Sequence, residues 1–371
     1  MERTQRRQRG RTMLVVGLVL VASAAVAVVH ASLDGAHRDP DRADCGNLLL
    51  SDGDFTPLTP PPDAAPDPRA TTYFALNNRG QAVGAYAGRT APSGAEGLAH
   101  VAADHAVLRD ARGGFTRLDA PGALVTLAFD LNDRAEVVGQ TIDAGTVPDS
   151  EGRLPSGAVH GFISRGGEVA TIDVPDAALT QPLGINDRGD VVGAYVEAVP
   201  GADPYAYNVT GRRHGFLLRA GRFTPVDVPG SDATTVSGIN DRGQMVGYYD
   251  RDGARHGFLM SAGRVTRIDR PGARFTVPSR IDDRGRVVGG YGDPKAAGAR
   301  GFLWDDGDFT TIVAPGVRTD TLAYDINDRG DIVIPADGTV LRQPKTACGR
   351  PTAPDVSPGS GVSAGRGHGR P

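Results

Sequence analysis

The sequence is short of cysteine, of any excess of positive charge and of recognisable catalytic groups. Two cysteines stand among 371 residues, so at most one internal disulfide can form. Lys and Arg number 40 against 44 Asp and Glu, without a basic stripe, which argues against nucleic acid as a partner. Neither a pair of carboxylates nor a nucleophile beside a base can be placed from the sequence. We therefore predict a protein without catalytic residues, cofactor or bound metal.

Long apolar runs are equally scarce, and the one that exists lies at the N-terminus. Met13–Val29 follows five arginines, which is the pattern of a signal peptide. Small residues at Val29 and Ala31 favour cleavage, so residues 1–31 are predicted to be a signal peptide. The run also reaches the lower length limit for a bilayer span, which leaves an uncleaved anchor as the alternative. Both interpretations predict export, either by secretion or with the repeat domain outside a membrane that only this segment touches.

Composition divides the rest of the chain into three parts. Residues 32–44 are a short polar linker, residues 45–348 form one repeat domain, and residues 349–371 are rich in Gly, Pro and Ser and are predicted to be disordered. The leader has five Arg and one Glu, a charge of +4, and the whole chain has −4, which leaves −8 for the exported part.

A four-residue turn recurs through residues 45–348 and is the most informative pattern in the chain. It reads Asn/Asp-Asn/Asp-Arg-Gly, with Ala in place of Gly in the second copy. The six copies begin at Asn77, Asn132, Asn186, Asn240, Asp282 and Asn327. They are 55, 54, 54, 42 and 45 residues apart, and such self-similarity predicts a repeat architecture. Asn at the first position and Gly at the fourth predict a type I turn.

Short segments rich in β-branched and aromatic residues surround each turn. In the clearest copy, residues 214–249, four strands can be read, the last being Gln244–Tyr249. Four strands in about 40–50 residues is the size of a propeller blade, and such a sheet needs neighbours to bury its faces. The sequence therefore predicts an all-β, propeller-like ring of about six four-stranded blades that closes near the termini.

Two glycine positions carry further expectations. The last strand of each unit has a glycine in five copies, which we expect to let one blade approach the next closely. These are Gly84, Gly139, Gly193, Gly247 and Gly289, and Ile334 takes the place in the sixth copy. Ala135 replaces the glycine of the second turn. If that position is left-handed, alanine costs about 1 kcal/mol there.

The chain carries one opening strand more than six blades need. Leu48–Leu50 and Thr339–Arg342 both match that strand, and either could close the ring by joining a blade from the other end of the chain. Cys45 and Cys348 bracket the repeats. A disulfide needs Cα atoms within about 7 Å, so we predict a Cys45–Cys348 bond that requires a ring, with two unpaired thiols as the alternative. For a loop of ~300 residues, chain entropy limits its contribution to roughly 5–6 kcal/mol.

The combined pattern resembles a known bacterial repeat. His214-Gly215-Phe216, Val226–Gly230 and Gly238–Tyr249 are similar to the HAF-type repeat of bacterial extracellular proteins, and the likeness covers about residues 46–343. The resemblance implies an exported repeat protein with a propeller-like β fold. It implies no activity that could be assigned to a residue.

Two features could be taken for metal sites, and we favour a simpler interpretation of each. Equivalent histidines could form a ring of imidazoles, but a local hydrogen bond at a strand end is favoured for each. They are His105, His160, His214 and His256. The turns are rich in possible calcium ligands, but their third residue is always arginine, which favours a structural turn. These arginines, expected to line one rim and pair with the preceding Asp, are Arg79, Arg134, Arg188, Arg242, Arg284 and Arg329.

Loop length breaks the regularity of the repeat. The segments before the next opening strand are long in the first three copies (87–104, 142–159 and 196–213) and short afterwards. In a propeller they would be neighbours on one rim, and long loops on one face often bind ligands. The third segment carries residue types that anchor recognition surfaces: Tyr205, Tyr207, Arg212 and Arg213. Solvated insertions without a ligand are the alternative.

These observations predict a monomeric, exported module that binds an extracellular protein, a glycan or a small molecule. Two alternatives remain open, because propellers serve many functions. One is an extracellular lyase or hydrolase, which clustered His, Asp or Glu in the central channel would indicate. The other is a structural surface protein.

Overall fold

The structure, a computed structural model, describes residues 47–64, 71–88, 104–146, 154–200, 212–293, 298–314 and 321–335. These residues form 24 β-strands in six four-stranded antiparallel sheets. Within these ranges there is no helix, and so none long and apolar enough to cross a membrane. The architecture confirms the predicted all-β fold, a six-bladed β-propeller.

Each sheet is one blade, and its strands are given from the innermost to the outermost. Blade 1 contains β3 (Thr71–Leu76), β4 (Ala82–Tyr86), β5 (His105–Arg109) and β6 (Phe115–Arg117). Blade 2 contains β7 (Ala123–Leu131), β8 (Val137–Asp143), β9 (Val159–Arg165) and β10 (Glu168–Thr171). Blade 3 contains β11 (Ala177–Ile185), β12 (Val191–Glu197), β13 (Arg213–Arg219) and β14 (Arg222–Val226).

The second half of the ring has the same order of strands. Blade 4 contains β15 (Ala233–Ile239), β16 (Met245–Arg251), β17 (Ala254–Ser261) and β18 (Arg264–Ile268). Blade 5 contains β19 (Thr276–Ile281), β20 (Val287–Gly292), β21 (Ala299–Asp305) and β22 (Asp308–Ile312). Blade 6 contains β23 (Asp325–Ile326), β24 (Ile332–Ile334), β1 (Asn47–Ser51) and β2 (Asp54–Leu58).

Strands from both ends of the chain close the ring in blade 6. β1 pairs with β24 in antiparallel register, Leu48 opposite Ile334 and Leu50 opposite Ile332. Successive blades pack along the chain, and β23 and β24 return to contact β3 of blade 1. Leu48–Leu50, one of the two candidate closing segments, therefore takes the third place in blade 6. Thr339–Arg342, Cys45 and Cys348 lie outside the described residues.

The sheets are offset by two strands from the unit read in the sequence. In the unit of residues 214–249, β13 and β14 are the outer strands of blade 3, whereas β15 and β16 are the inner strands of blade 4. Each unit therefore joins two neighbouring blades. The offset also explains why the N-terminal copy supplies only the outer strands of the closing blade.

The glycine of the second strand does not set the spacing between blades, contrary to the expectation from sequence. A Cβ at Gly84 or at its four equivalents would overlap a backbone carbonyl of the inner strand of the same sheet, beside a β-bulge. The glycine of the His-Gly-Phe segment is enclosed both by the outer strand of its own sheet, at Val226 or Ile268, and by the next blade. A Cβ at Gly215 would collide with Val236 of blade 4, and one at Gly257 with Pro278 of blade 5.

The core lies between adjacent sheets. The phenylalanines of the opening strands are fully buried there, at Phe162, Phe216, Phe258 and Phe302. Burial of one such side chain stabilises a fold by about 1.5–3 kcal/mol, which accounts for the recurrence of phenylalanine at this position of the repeat.

Candidate functional site

The recurring turns join the two inner strands of each blade and meet at one end of the ring, here called the turn face. The N–H of the fourth residue donates to the carbonyl of the first, as Gly80 does to Asn77 at 3.1 Å and Gly243 to Asn240 at 3.0 Å. This is the predicted type I turn. The fourth residue is left-handed even where it is alanine, since φ is 57° at Ala135.

The second residues of the turns form a closed circle of hydrogen bonds, here called the girdle. The backbone N–H of each donates to the side-chain oxygen of the equivalent residue in the next blade, over 2.7–2.8 Å. The members are Asn78, Asp133, Asp187, Asp241, Asp283 and Asp328. The last bond, from Asp328 to Asn78, joins blade 6 to blade 1 and completes the circle.

The first residues of the turns form a second, incomplete circle. Five asparagines donate from Nδ2 to the backbone carbonyl of the first residue in the next turn, over 2.9–3.2 Å. Asp282 of blade 5 has no such donor. It accepts instead from Nε of Arg286 at 2.6 Å, whereas the equivalent Asn240 donates to Gln244 at 2.9 Å. In blade 5 the first residue of the turn is therefore the acceptor and the residue four positions later is the donor, the reverse of their roles in blade 4.

Three of the six third-position arginines pair differently from the expectation. Arg134, Arg188 and Arg329 contact the acidic residue two positions later, not the preceding Asp. Burial opposes it, but hydrogen bonds lower the pKa of those partners, chiefly from Asn132 to Glu136, from Arg219 to Asp190 and from Ser51 to Asp331. Groups of the turns and of the neighbouring strands thus hold the turn face together.

Each repeat histidine is bound by an aspartate of its own blade. The distance from Nδ1 to the carboxylate is 2.8 Å for His105–Asp119 and 2.6 Å for His214–Asp227, with His160 and His256 bound alike. The second carboxylate oxygen accepts the N–H of the residue after the histidine. This is the local arrangement that the sequence favours. In the described ranges, no three His, Cys, Asp or Glu side chains are grouped to hold a metal ion.

A cavity of about 80 Å³ lies on the axis at the turn face. Its walls are the girdle, the first residues of the turns and the aliphatic residues just before them. Burial is the main cause that raises the pKa of Asp241 and Asp283, and the neighbouring girdle carboxylates add to it. The floor contains three charged residues, Asp130, Arg280 and Asp325.

Arg280 closes the channel at this floor. It comes from blade 5 and donates to the carbonyl of Phe129 in blade 2, on the opposite side of the ring, at 2.8 Å. It also donates to the carbonyl of Ser237 in blade 4 at 2.8 Å. Its Nε lies 3.5 Å from Asp130 Oδ2 and 3.8 Å from Asp325 Oδ1.

The two carboxylates are buried and accept backbone N–H groups across blade boundaries. Asp130 of blade 2 accepts from Ile185 of blade 3 at 2.8 Å, and Asp325 of blade 6 accepts from Leu76 of blade 1 at 2.7 Å. Burial raises the pKa of both, and together with the charge of Asp130 it raises the pKa of Asp325 to about 7.

Sequence reasoning missed these three residues, although a signal was present. They occupy one position of the repeat, two residues before the turn, where the other blades have Ala75, Gly184 and Gly238. Three charges at a position otherwise held by small residues could have marked the site once the copies were aligned.

The opposite end of the ring, here called the loop face, carries the long segments. They join β4 to β5, β8 to β9 and β12 to β13, so the topology places them on adjacent blades 1, 2 and 3, as predicted. Arg212 donates to the carbonyls of Ser231 and Asp232 in the connection to blade 4, at 2.7 and 3.2 Å. Arg213 donates to Gln181 at 3.2 Å. Tyr205 and Tyr207 lie outside the described residues, so the proposed rim stays a prediction.

Comparisons with known proteins give propellers at low similarity. No protein-family model and no curated protein matches the chain, so the resemblance to the HAF-type repeat stays a prediction. Among solved structures, a protein named as TolB from Agrobacterium tumefaciens is 10% identical with a TM-score of 0.45, over 79% of this chain and 99% of that one. A gluconolactonase from Xanthomonas campestris is 13% identical with a TM-score of 0.41, over 81% and 96%. A streptogramin B lyase is 12% identical with a TM-score of 0.40, over 79% and 95%. None of these activities is assigned to this chain.

Proposed function

We propose that the protein is an exported, non-catalytic binding module of the cell exterior, which recognises its partner on the loop face above blades 1–3. The observation that supports this most is the uneven length of the connections on that face. Blades 1–3 each carry a long segment between their second and third strands, whereas blade 4 makes the same connection with Asp252 and Gly253 alone. A regular scaffold that lengthens loops only on neighbouring blades concentrates variable surface in one place.

The turn face supports this choice by exclusion. Its backbone N–H groups and carboxylates are largely used in the girdle, and three of its six arginines, Arg134, Arg188 and Arg329, pair with acidic residues two positions later. The partner class remains an extracellular protein, a glycan or a small molecule. Export is supported by the basic and apolar leader.

The test replaces the third long segment by the short hairpin loop of blade 4. Glu197 and Arg212 flank the third long segment, and the N–H of Glu197 donates to the carbonyl of Arg212 at 3.1 Å. Replacing residues 198–211 by Asp-Gly recreates the β16–β17 hairpin at this place. The mature protein and this variant are then probed on arrays of glycans and secreted proteins.

We expect binding by the mature protein and its loss in the loop variant, with the same unfolding midpoint for both. Asp187→Asn is the matched control on the turn face, because the equivalent Asn78 shows that the substitution fits the girdle. That control should bind normally. Absence of any binding, or binding that the loop variant retains in full, would refute the proposal.

An extracellular lyase or hydrolase is the second candidate, because clustered aspartates do line the channel. The buried pair is less suited to catalysis, since both oxygens of Asp325 already accept backbone N–H groups. Asp241 and Asp283 lie nearer the mouth, and their pKa is raised as well. Turnover of ester, glycoside or acidic polysaccharide substrates that is lost in an Asp241→Asn/Asp283→Asn variant would establish this function instead.

A further inference from the structure

The floor of the channel links all six blades through three side chains. Asp130 joins blade 2 to blade 3, Asp325 joins blade 6 to blade 1, and Arg280 joins blade 5 to blades 4 and 2. Arg280 also contacts both aspartates, because its Nε lies between their carboxylates. The cluster therefore sits where the six blades meet.

We propose that Asp130, Arg280 and Asp325 form a proton-linked latch, which holds one proton on one of its two carboxyl groups when the ring is closed and weakens the ring when that proton leaves.

The count of charges is the first argument. Two carboxylates and one guanidinium have a net charge of −1, and their side chains are only 8%, 6% and 12% exposed. An uncompensated charge in such a site is costly and is commonly relieved by a change of protonation. One proton makes the cluster neutral. The raised pKa of Asp130 and of Asp325, caused first by burial, agrees with this count.

In the part of the chain that the structure describes, the ion pairs of the cluster are those between Arg280 and the two aspartates, and the girdle carboxylates nearer the mouth of the cavity add no positive charge. Blades 1, 3 and 4 have Ala75, Gly184 and Gly238 at the equivalent positions. They contribute only the N–H groups of Leu76 and Ile185 and the carbonyl of Ser237. On blade 5, the next charge towards the turn face is Asp282, which is already paired with Arg286 at 2.6 Å. The titration therefore belongs to the three residues of the latch.

The direction of the pH dependence follows from proton counting. An ordinary aspartate in the unfolded chain loses its proton near pH 4, whereas Asp325 keeps it until about pH 7 in the folded state. Between these values the folded protein binds one proton more than the unfolded chain. Stability conferred by that proton is complete at low pH and is lost as the pH rises from about 4 to 7, after which the curve levels off.

The experiment compares the unfolding equilibrium of the mature protein with that of Asp325→Asn, by denaturant titration between pH 5 and 6.5. One linked proton changes the equilibrium constant about tenfold per pH unit. We therefore expect the unfolding equilibrium constant of the wild-type protein, divided by that of the variant, to rise close to tenfold for each pH unit. Contributions of the histidines cancel in this ratio. Asp187→Asn removes a carboxylate from the same channel and should keep the wild-type dependence.

A spectroscopic measurement keeps the test independent of how well Asp325→Asn folds. At pH 6 ordinary carboxyl groups are ionised, so the infrared C=O band of a carboxylic acid should report the latch in the wild-type protein. The band should persist in Asp241→Asn/Asp283→Asn, disappear in Asp130→Asn or Asp325→Asn, and vanish by pH 8.5. Absence of the band from the wild-type protein, or parallel pH curves for wild type and Asp325→Asn, would overturn the proposal.

Discussion

At the scale of single residues, the asparagine that begins five of the six turns combines an acceptor and two donors in one short side chain. Asn186 accepts the N–H groups of Arg188 and Asp190 on Oδ1, at 3.1 and 3.0 Å. Its Nδ2 donates to the carbonyl of Asn240 in the next blade at 3.1 Å. Only an amide offers an acceptor and two donors on so short a chain. The repeat therefore preserves asparagine for reasons of architecture and not of catalysis.

The fourth residue of the second turn is alanine, whereas the other five turns have glycine there, and this difference gives a direct prediction. Ala135 has φ 57°, a region that costs a residue with a Cβ about 1 kcal/mol. Ala135→Gly should therefore stabilise the protein by roughly that amount in denaturant titrations. The reverse change at the equivalent site of blade 3, Gly189→Ala, should destabilise it similarly. A loss of stability in Ala135→Gly would contradict the geometry described for this turn.

At the scale of the turn and its strands, the exchanged pair of blade 5 can be reverted. Asp282→Asn alone places an amide donor against Arg286, and the side chain of Asp282 is fully buried. This variant should lose about 2 kcal/mol or more. The double variant Asp282→Asn/Arg286→Gln recreates the Asn240–Gln244 pair and frees an Nδ2 donor for the next turn.

The measurement is a double-mutant cycle by denaturant unfolding. We expect the second substitution to restore most of the stability lost in the first, a coupling of about 1–3 kcal/mol. Additive effects of the two substitutions would show that the pair does not act as a unit.

Sequence periodicity predicts the strands and turns of this fold but not how they are grouped into sheets. A repeat of four strands looks the same wherever the blade boundary is drawn, so β13–β16 could be read as one blade although they belong to two. The choice between Leu48–Leu50 and Thr339–Arg342 has the same origin, because both match the missing strand. Only pairing across the ring decides it.

The latch cannot be recognised from any single copy of the repeat, for a different reason. The three latch residues are far apart in sequence, and each is a single departure from the repeat pattern in its own copy: Asp130, Arg280 and Asp325. Their proximity follows from the closed ring, which brings one repeat position of every blade to the axis. The histidines were easier, because each is paired with an aspartate 13 or 14 residues later in its own blade.

At the scale of the whole molecule, the predicted Cys45–Cys348 bond would fasten the closing blade. Cys45 precedes β1 by two residues, and Cys348 follows β24, which pairs with β1. We expect the non-reduced mature protein to have the mass of a chain cleaved after residue 31 and lacking two hydrogens. Reduction should lower the unfolding midpoint, because the open loop gains entropy in the unfolded state. Two alkylatable thiols in the native protein would refute the bond without opening the ring.

Closure by strands from both ends is the central claim, and a cross-link between the two ends tests it most directly. Ser51 Oγ lies 2.5 Å from Asp331 Oδ1, next to the paired residues Leu50 and Ile332. In a background without the native cysteines, Ser51→Cys/Asp331→Cys should form an intramolecular disulfide, because opposite residues of paired strands have suitable Cα separations. Ser51→Cys/Asp190→Cys is the control, since Asp190 occupies the equivalent position of blade 3 on the far side of the ring. The account predicts complete cross-linking of the first pair and none of the second, as measured by mass and by mobility in non-reducing gels. Equal or absent cross-linking in both would mean that the two ends of the chain do not meet in one blade.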